Sequence, residues 1–285
     1  MANQISLTAG MRNNLLSLQG TSQMIDKTQT RLSTGKKVNT PLDNPTNYFA
    51  AQSHMQRADD LSARKDGMAE AVQMVKAADA GIKAITSLIE SAKGVAQAAL
   101  ASGSSTDRAA YAATFDTLMT QITQLASDSG YRGTNFLTEG KQTVEFSQAT
   151  GTSTLGINGF NATATGLSIK TVSTTADSNQ WAVKGTAITA DQTTKIQSSS
   201  TQLETALNTL RSESSKLSSN LSVVTTRQDF TSSMINELQT GADNLTLADM
   251  NEEGANMLML QTRQNLGITS LSMASQAAQA VMRLF

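Results

Sequence analysis

The sequence predicts a mostly α-helical protein: an elongated rod of long antiparallel helices in coiled-coil-like packing, with a small β-hairpin region and the chain termini paired at one end. Aromatic residues make up only 4% of the 285 residues and only 2 are prolines, which suits long helices with narrow cores. Apolar residues recur in alternating steps of three and four, the period of packed helices. The stretch 131–190 lacks this period and is rich in Gly, Thr, Ser and Asn.

Charge, cysteine content and hydropathy exclude several functional classes. The net charge of −1 offers nothing to neutralise a phosphate backbone, so we expect no nucleic-acid partner. There is no cysteine for disulfide or thiol chemistry. No apolar run approaches the roughly 18–20 residues of a membrane span, so we expect no membrane insertion. Nucleophile motifs, phosphate-binding loops and metal-ligand spacings are missing, and we predict no enzyme activity, no catalytic residues, no cofactor and no metal.

The first predicted helix lies near the N-terminus and ends at Gly35. Its seam is heptad-like and imperfect, because polar residues occupy some of the seam positions. Loop signals follow it at 39–41 and 43–45. Asn44 can cap a second helix whose first position is Pro45, where a missing N–H is harmless.

The second helix carries the clearest seam of the chain. Between 68 and 99, every residue at the three-four spacing is apolar and most are small, which predicts close packing along the whole helix. A turn at 103–107 then provides an N-cap for a shorter third helix, which ends at Ser129 and Gly130. Two short strands, 143–146 and 153–157, predict a hairpin around 149–151.

Helical periodicity resumes near Asp191 and follows a seam from 203 to 245, with a break expected at 241–244. A last amphipathic helix begins near Met250. The predicted core of the rod comes from the inner seams: Val75, Ile82, Ile85, Ile89, Leu118, Ile122, Leu210, Leu217, Leu221 and Val224.

The seams divide the chain into three predicted parts. Residues 1–43 and 244–285 form a discontinuous terminal helical domain, and 44–161 and 191–243 form a helical rod domain with the hairpin, which leaves 162–190 as a third part between the two halves of the rod. Apolar stripes at both extreme ends need a partner, which is either the other stripe or another copy of the chain.

Three motifs occur in order over nearly the full length of the chain. The first is 32–39 (LSTGKKVN) followed by 43–45 (DNP). The second is 130–137 (GYRGTNFL) followed by 156–161 (GINGFN). The third is 258–261 (LMLQ) with the ending 276–285 (QAAQAVMRLF). Together these motifs resemble those of bacterial flagellins, and the resemblance implies that 162–190 is a short variable surface segment.

The resemblance implies a structural subunit that leaves the cell through flagellar type III export. The subunit self-assembles into the extracellular helical filament used for motility, with the terminal helices as its inner tube. It also implies a flagellar export chaperone, the filament cap and the hook-junction proteins as partners. The residues expected at the filament core lie on the terminal stripes: Met11, Leu15, Leu18, Ile25, Leu32, Met257, Leu260, Ile268, Leu271, Ala278, Val281 and Phe285.

Two alternatives remain open at this point. The junction protein that links hook to filament shares the terminal helices. A secreted effector or adhesin with coiled-coil ends belongs to another class, and self-assembly separates it from a filament subunit because an effector stays monomeric.

Overall fold

Five helices and one two-stranded sheet make up the part of the chain that the structure, a computed structural model, describes. It describes residues 9–147, 153–172 and 180–282, with side chains up to residue 280. The elements follow in chain order: α1 Ala9–Thr34, α2 Pro45–Ala101, α3 Ser105–Asp128, β1 Lys141–Glu145, β2 Thr154–Asn158, α4 Ala190–Thr246 and α5 Met250–Met282. The predicted mostly helical fold with packed long helices and a small hairpin is therefore confirmed.

The helix ends follow the capping chemistry of the sequence. The side chain of Asn44 accepts a hydrogen bond from the Asn47 N–H, and Pro45 opens α2. Ser104 caps α3 by accepting from the Asp107 N–H. Ser129 closes α3 with its backbone N–H on the Leu125 carbonyl.

One predicted helix break is wrong. Helix α4 continues through 241–244 and ends at Thr246. Gly241 and Asn244 weaken a helix by propensity alone, yet Ala242 is buried and Thr246 donates to its carbonyl, so local packing outweighs that propensity.

The chain divides into two compact units. Unit 1 comprises the residues up to 58 together with those from 236 onward, and unit 2 comprises 59–235. Both divisions lie inside a helix, α2 in one case and α4 in the other. The predicted domain boundaries lie instead at helix ends, because turn signals mark where a helix stops and not where its packing partner changes.

Unit 2 contains the hydrophobic core. Its helices α2 and α4 are antiparallel, since Lys93 pairs with Glu204 whereas Asp79, earlier in α2, bonds Ser214, later in α4. The seam of α2 is buried along its whole predicted length from Met68. Eight of the ten residues predicted for the rod core are buried, and the other two, Leu118 and Leu221, pack against the same cluster half-buried.

The described part of 162–190 corrects the predicted surface segment. Leu167, Ile169 and Val172 are buried in the core of unit 2, as is Trp181, whose ring lies 4.8 Å from that of Phe115. These apolar residues are isolated among Ser and Thr and follow no regular period, so the sequence pattern did not reveal their burial.

The hairpin packs onto the helices of unit 2 through one buried face. Strands β1 and β2 are antiparallel with Lys141 opposite Asn158, and Val144 and Ile157 point into the core. Glu145 at the end of β1 pairs with Arg64 of α2. The predicted turn at 149–151 lies outside the described residues.

Candidate assembly site

Helices α1 and α5, the terminal elements of unit 1, pack against each other as an antiparallel pair. Asn14 in the first half of α1 donates to the carbonyl of Gly267 at 3.3 Å, and Arg31 in its last turn bonds Glu253 in the first turn of α5. A Cβ placed on Gly267 would lie 2.8 Å from a methyl group of Leu18, so the helices approach closely at that point.

The seam of α1 that faces α5 differs from the predicted heptad at alternate positions. Met11, Leu18, Ile25 and Leu32 are half-buried as expected. Leu15 is exposed, whereas Thr21 and Thr28 are buried. The Thr21 hydroxyl donates to the carbonyl four residues earlier, so its burial leaves no unpaired donor. Within one chain Leu15 therefore does not contribute to the α1–α5 contact.

An ion pair joins the two helices where their seam ends. Arg31 Nη1 lies 2.7 Å from Glu253 Oε1, and Glu253 is only 7% exposed. Glu253 lies in the first turn of α5, where the helix dipole favours a carboxylate. Its pairing with Arg31 gives it a second role. The Nε atom of Arg31 is buried and has no hydrogen-bond partner among the described residues.

The loop after α1 is joined to the loop before α5 by backbone hydrogen bonds. Gly35 adopts a φ of 70°, which turns the chain at the end of α1 without a side-chain clash. The N–H of Ala248 then donates to the Gly35 carbonyl at 2.9 Å, and the N–H of Lys37 donates to the Thr246 carbonyl at 2.8 Å. These bonds hold the loop between α1 and α2 against the short connection between α4 and α5.

Asp43 organises the rest of the loop between α1 and α2. Its carboxylate accepts from the backbone N–H groups of Asn39 and Thr40 and from the Thr40 hydroxyl, and it pairs with Lys27 of α1 at 3.3 Å. The hydrogen bond from the Thr40 N–H is the main cause that lowers the pKa of Asp43. The Thr34 hydroxyl accepts from the Asn39 amide at 2.8 Å. Side-chain hydrogen bonds among the residues of the 32–45 motif thus hold together the loop between α1 and α2.

Comparison with known proteins agrees with this architecture. The family model of the bacterial flagellin N-terminal helical region matches residues 5–143. Flagellin FljO and flagellin FljK of Caulobacter vibrioides are each 29% identical to the chain, over 99% of it and 98% of their own length. A flagellin of Brucella melitensis is 27% identical over 100% of the chain and 98% of its own length.

The chain belongs to the bacterial flagellin family. Flagellin homologues along nearly the whole chain favour a structural subunit of the flagellar filament over a hook-junction protein, effector or adhesin. Membership implies self-assembly, and homologues point to the flagellar filament, which lies outside the cell. The described helices include none long and apolar enough to cross a membrane. Within the same residues, no three acidic, His or Cys side chains are grouped to hold a metal.

Unit 1 of this flagellin has little core of its own. Its buried apolar side chains among the described residues are few and small: Val38, Ala51, Ala58, Ala242 and Leu260. It nevertheless carries most of the large apolar side chains that the described residues expose: Leu15, Leu16, Met24, Leu42, Phe49, Met55, Leu247, Met250, Leu258, Met259, Leu266, Ile268 and Met273. Apolar surface on this scale, next to so small a core, marks an interaction site.

Helix α5 of the flagellin exposes an apolar stripe opposite its contact with α1. Leu260 is buried, and Gly267 and Leu271 are half-buried on the side that faces α1. Leu258, Leu266 and Met273 follow each other at helical spacing, and at 100° per residue they lie on the other side. Leu258 is 67% exposed. One face of α5 therefore packs within the chain and another is free to pack against a second copy.

Three more of the predicted assembly residues lie on α5 with described side chains. Met257 and Ala278 are half-buried, and Ile268 is exposed. The side chain of Val281 and the whole of Phe285 lie outside the described residues. Leu258, Leu266 and Met273 were not among the predicted assembly residues, although their spacing of eight and seven residues indicates one side of a helix.

Proposed function

We propose that this flagellin polymerises through unit 1, whose exposed apolar faces on α1 and α5 are covered by the same unit of neighbouring copies. The observation that supports this is the imbalance within unit 1 between its few small buried side chains and its many large exposed ones. Neighbouring copies would supply the missing core, because burial of apolar surface is the main favourable term in association.

The proposed contact joins two different surfaces, the α5 stripe of one copy and the exposed apolar side chains of α1 in the next, so it is heterologous. Heterologous contacts that repeat by a screw operation generate an open filament instead of a closed ring. Of the predicted assembly residues, Leu15 and Ile268 fit this scheme directly, because they are exposed in one chain and available to another.

The same proposal covers where the protein works, what role it has there and which proteins it contacts. The protein works outside the cell as a structural polymer and has no catalytic role. Before and after export it contacts a flagellar chaperone, the filament cap and the hook-junction proteins. The paired terminal helices α1 and α5 form the inner tube of the filament.

Seeded polymerisation of the purified full chain, followed by electron microscopy, tests the proposal. Leu266→Asp introduces a charge on the exposed α5 stripe, and we expect it to prevent elongation because a carboxylate buried against apolar neighbours is strongly unfavourable. Gln261→Asp makes a comparable change on α5 away from the stripe and should still elongate.

Fluorescence of Trp181, the single tryptophan, provides the folding control because that residue is buried in unit 2. Both variants should retain the wild-type unfolding transition. Filaments of Leu266→Asp that grow like wild type would contradict the proposed face.

A further inference from the structure

The groove where α1 and α5 meet contains a buried polar group without a partner. The groove has a volume of about 270 Å³, and its lining residues include Met24, Met259, Leu260, Lys27 and Arg31. The Nε atom of Arg31 is buried there and has no hydrogen-bond partner among the described residues. A buried donor in this state is costly, and it favours any acceptor that reaches the groove.

The two methionines of the groove differ sharply from those of the core in exposure. Met24 is 45% exposed and Met259 is 58% exposed. Met68 and Met119 in unit 2 are 0% and 1% exposed. Since oxidation of a thioether requires contact between the sulfur and the oxidant, the groove methionines are open to attack and the core methionines are shielded.

We propose that Met24 and Met259 form a methionine-oxidation site that controls whether the chain can assemble. The oxidant is a peroxide or a hypohalous acid, which transfers one oxygen atom to the thioether sulfur. The S–O bond forms as the O–O or O–halogen bond breaks, the sulfur loses two electrons, and the oxidant leaves as water or halide. No atom is lost from the protein, and a methionine sulfoxide reductase reverses the change.

Arg31 adds a hydrogen-bond donor to the groove that contains the two exposed methionines. A sulfoxide oxygen is a hydrogen-bond acceptor, which a thioether sulfur is only weakly. Arg31 lines the same groove as both methionines, and its buried Nε is a donor without an acceptor among the described residues. Oxidation supplies the missing acceptor and so favours a conformation in which the polar sulfoxide stays in the groove.

The effect on assembly rests on the proposed function. If another copy covers the groove with apolar side chains, a sulfoxide there must lose its water without gaining a full set of partners. We expect elongation by the oxidised monomer to be about tenfold slower than by the reduced one. Methionines already covered in a filament should resist the same oxidant.

Limited hydrogen peroxide treatment of the full-length monomer tests the site, with peptide mass spectrometry to measure sulfoxide at each methionine. Met24 and Met259 should oxidise well before Met68 and Met119. Seeded elongation should slow with their oxidation and recover after reductase treatment. All chains in the test carry Met55→Leu, Met250→Leu and Met273→Leu, because these methionines are exposed on the same unit and Met273 lies on the proposed α5 face. In this background the double variant Met24→Leu/Met259→Leu is compared with its own untreated rate, and peroxide should slow it less than it slows the chain that keeps Met24 and Met259.

The outcomes separate this inference from the proposed function. Normal elongation after full oxidation of Met24 and Met259, or equal sensitivity of the double variant, would overturn the inference while the untreated chain still polymerises. An untreated chain that never extends seeds would overturn the proposed function and this inference with it.

Discussion

Arg31 near the end of α1 and Glu253 at the start of α5 form the one ion pair in the described chain that joins the two terminal helices, with 2.7 Å between Nη1 and Oε1. Glu253 is almost fully buried, so its charge depends on Arg31 for compensation. The pair also lines the groove that carries Met24 and Met259. Helix pairing and the proposed oxidation site therefore share both side chains of this ion pair.

Arg31→Met should weaken the α1–α5 contact more than the double variant Arg31→Met/Glu253→Met. The single change leaves a buried carboxylate unpaired, which costs about 3–5 kcal/mol, whereas two apolar side chains can pack together. Circular dichroism of the monomer measures the difference as the helicity lost on heating before unit 2 unfolds. Equal loss of helicity in the two variants would mean that Glu253 does not depend on Arg31.

Gly267→Ala should destabilise the helix pair relative to Gly254→Ala. Both glycines lie in α5, and alanine favours a helix by about 1 kcal/mol at either position. Only at Gly267 would the added methyl group meet Leu18, at 2.8 Å, whereas Gly254 has open space. Overpacking of this kind costs about 1–3 kcal/mol.

Helicity measured by circular dichroism during thermal unfolding should separate the two glycine variants. Gly254→Ala should raise the midpoint, and Gly267→Ala should leave it unchanged or lower it. Adding Leu18→Ala to Gly267→Ala should relieve the crowding. A Gly267→Ala variant as stable as Gly254→Ala would show that the helices do not approach closely here.

Asp116→Asn should stabilise unit 2 near neutral pH and lose that advantage in acid. Asp116 of α3 accepts from the Val172 N–H at 2.7 Å, and burial raises the pKa of its carboxyl. A raised pKa means that the folded chain binds the proton more tightly than the unfolded chain does. Stability therefore falls as pH rises from the ordinary Asp value of about 3.9 through the folded pKa.

Asparagine keeps the acceptor for Val172 and carries no charge at any pH. Urea unfolding followed by Trp181 fluorescence should place the variant above wild type at about pH 7, and the two should be equal at about pH 3, where both side chains are neutral. The same gain at both pH values would exclude the carboxylate charge as the cause.

The sequence predicts best those elements in which apolarity and spacing agree. The seam of α2 from 68 to 99 is apolar at every step, and the structure buries it throughout. In α1 the same rule placed Leu15 on the seam, but Leu15 is exposed, and the structure buries Thr21 and Thr28 on that seam although both are polar. A threonine that bonds its own helix backbone can replace an apolar residue at a buried position, so side-chain polarity alone misassigns the register.

Features that depend on contacts distant along the chain could not be read from local pattern. The burial of Trp181 depends on Phe115 and on a hydrogen bond to Ser199. The pairing of Glu253 with Arg31 joins residues 222 positions apart. The exposed α5 stripe could have been read from spacing, but it was indistinguishable from the inward stripe until the position of α1 was known.

Hydrogen exchange of the same chain, as monomer and as filament, tests most directly the claim that neighbouring copies complete unit 1. Amides of 9–34 and 250–282 should exchange fast in the monomer, because a helix pair with so small a core opens readily. They should become strongly protected in the filament, while the core helices of unit 2 stay protected in both states. Equal protection of the terminal helices in monomer and filament would contradict the account.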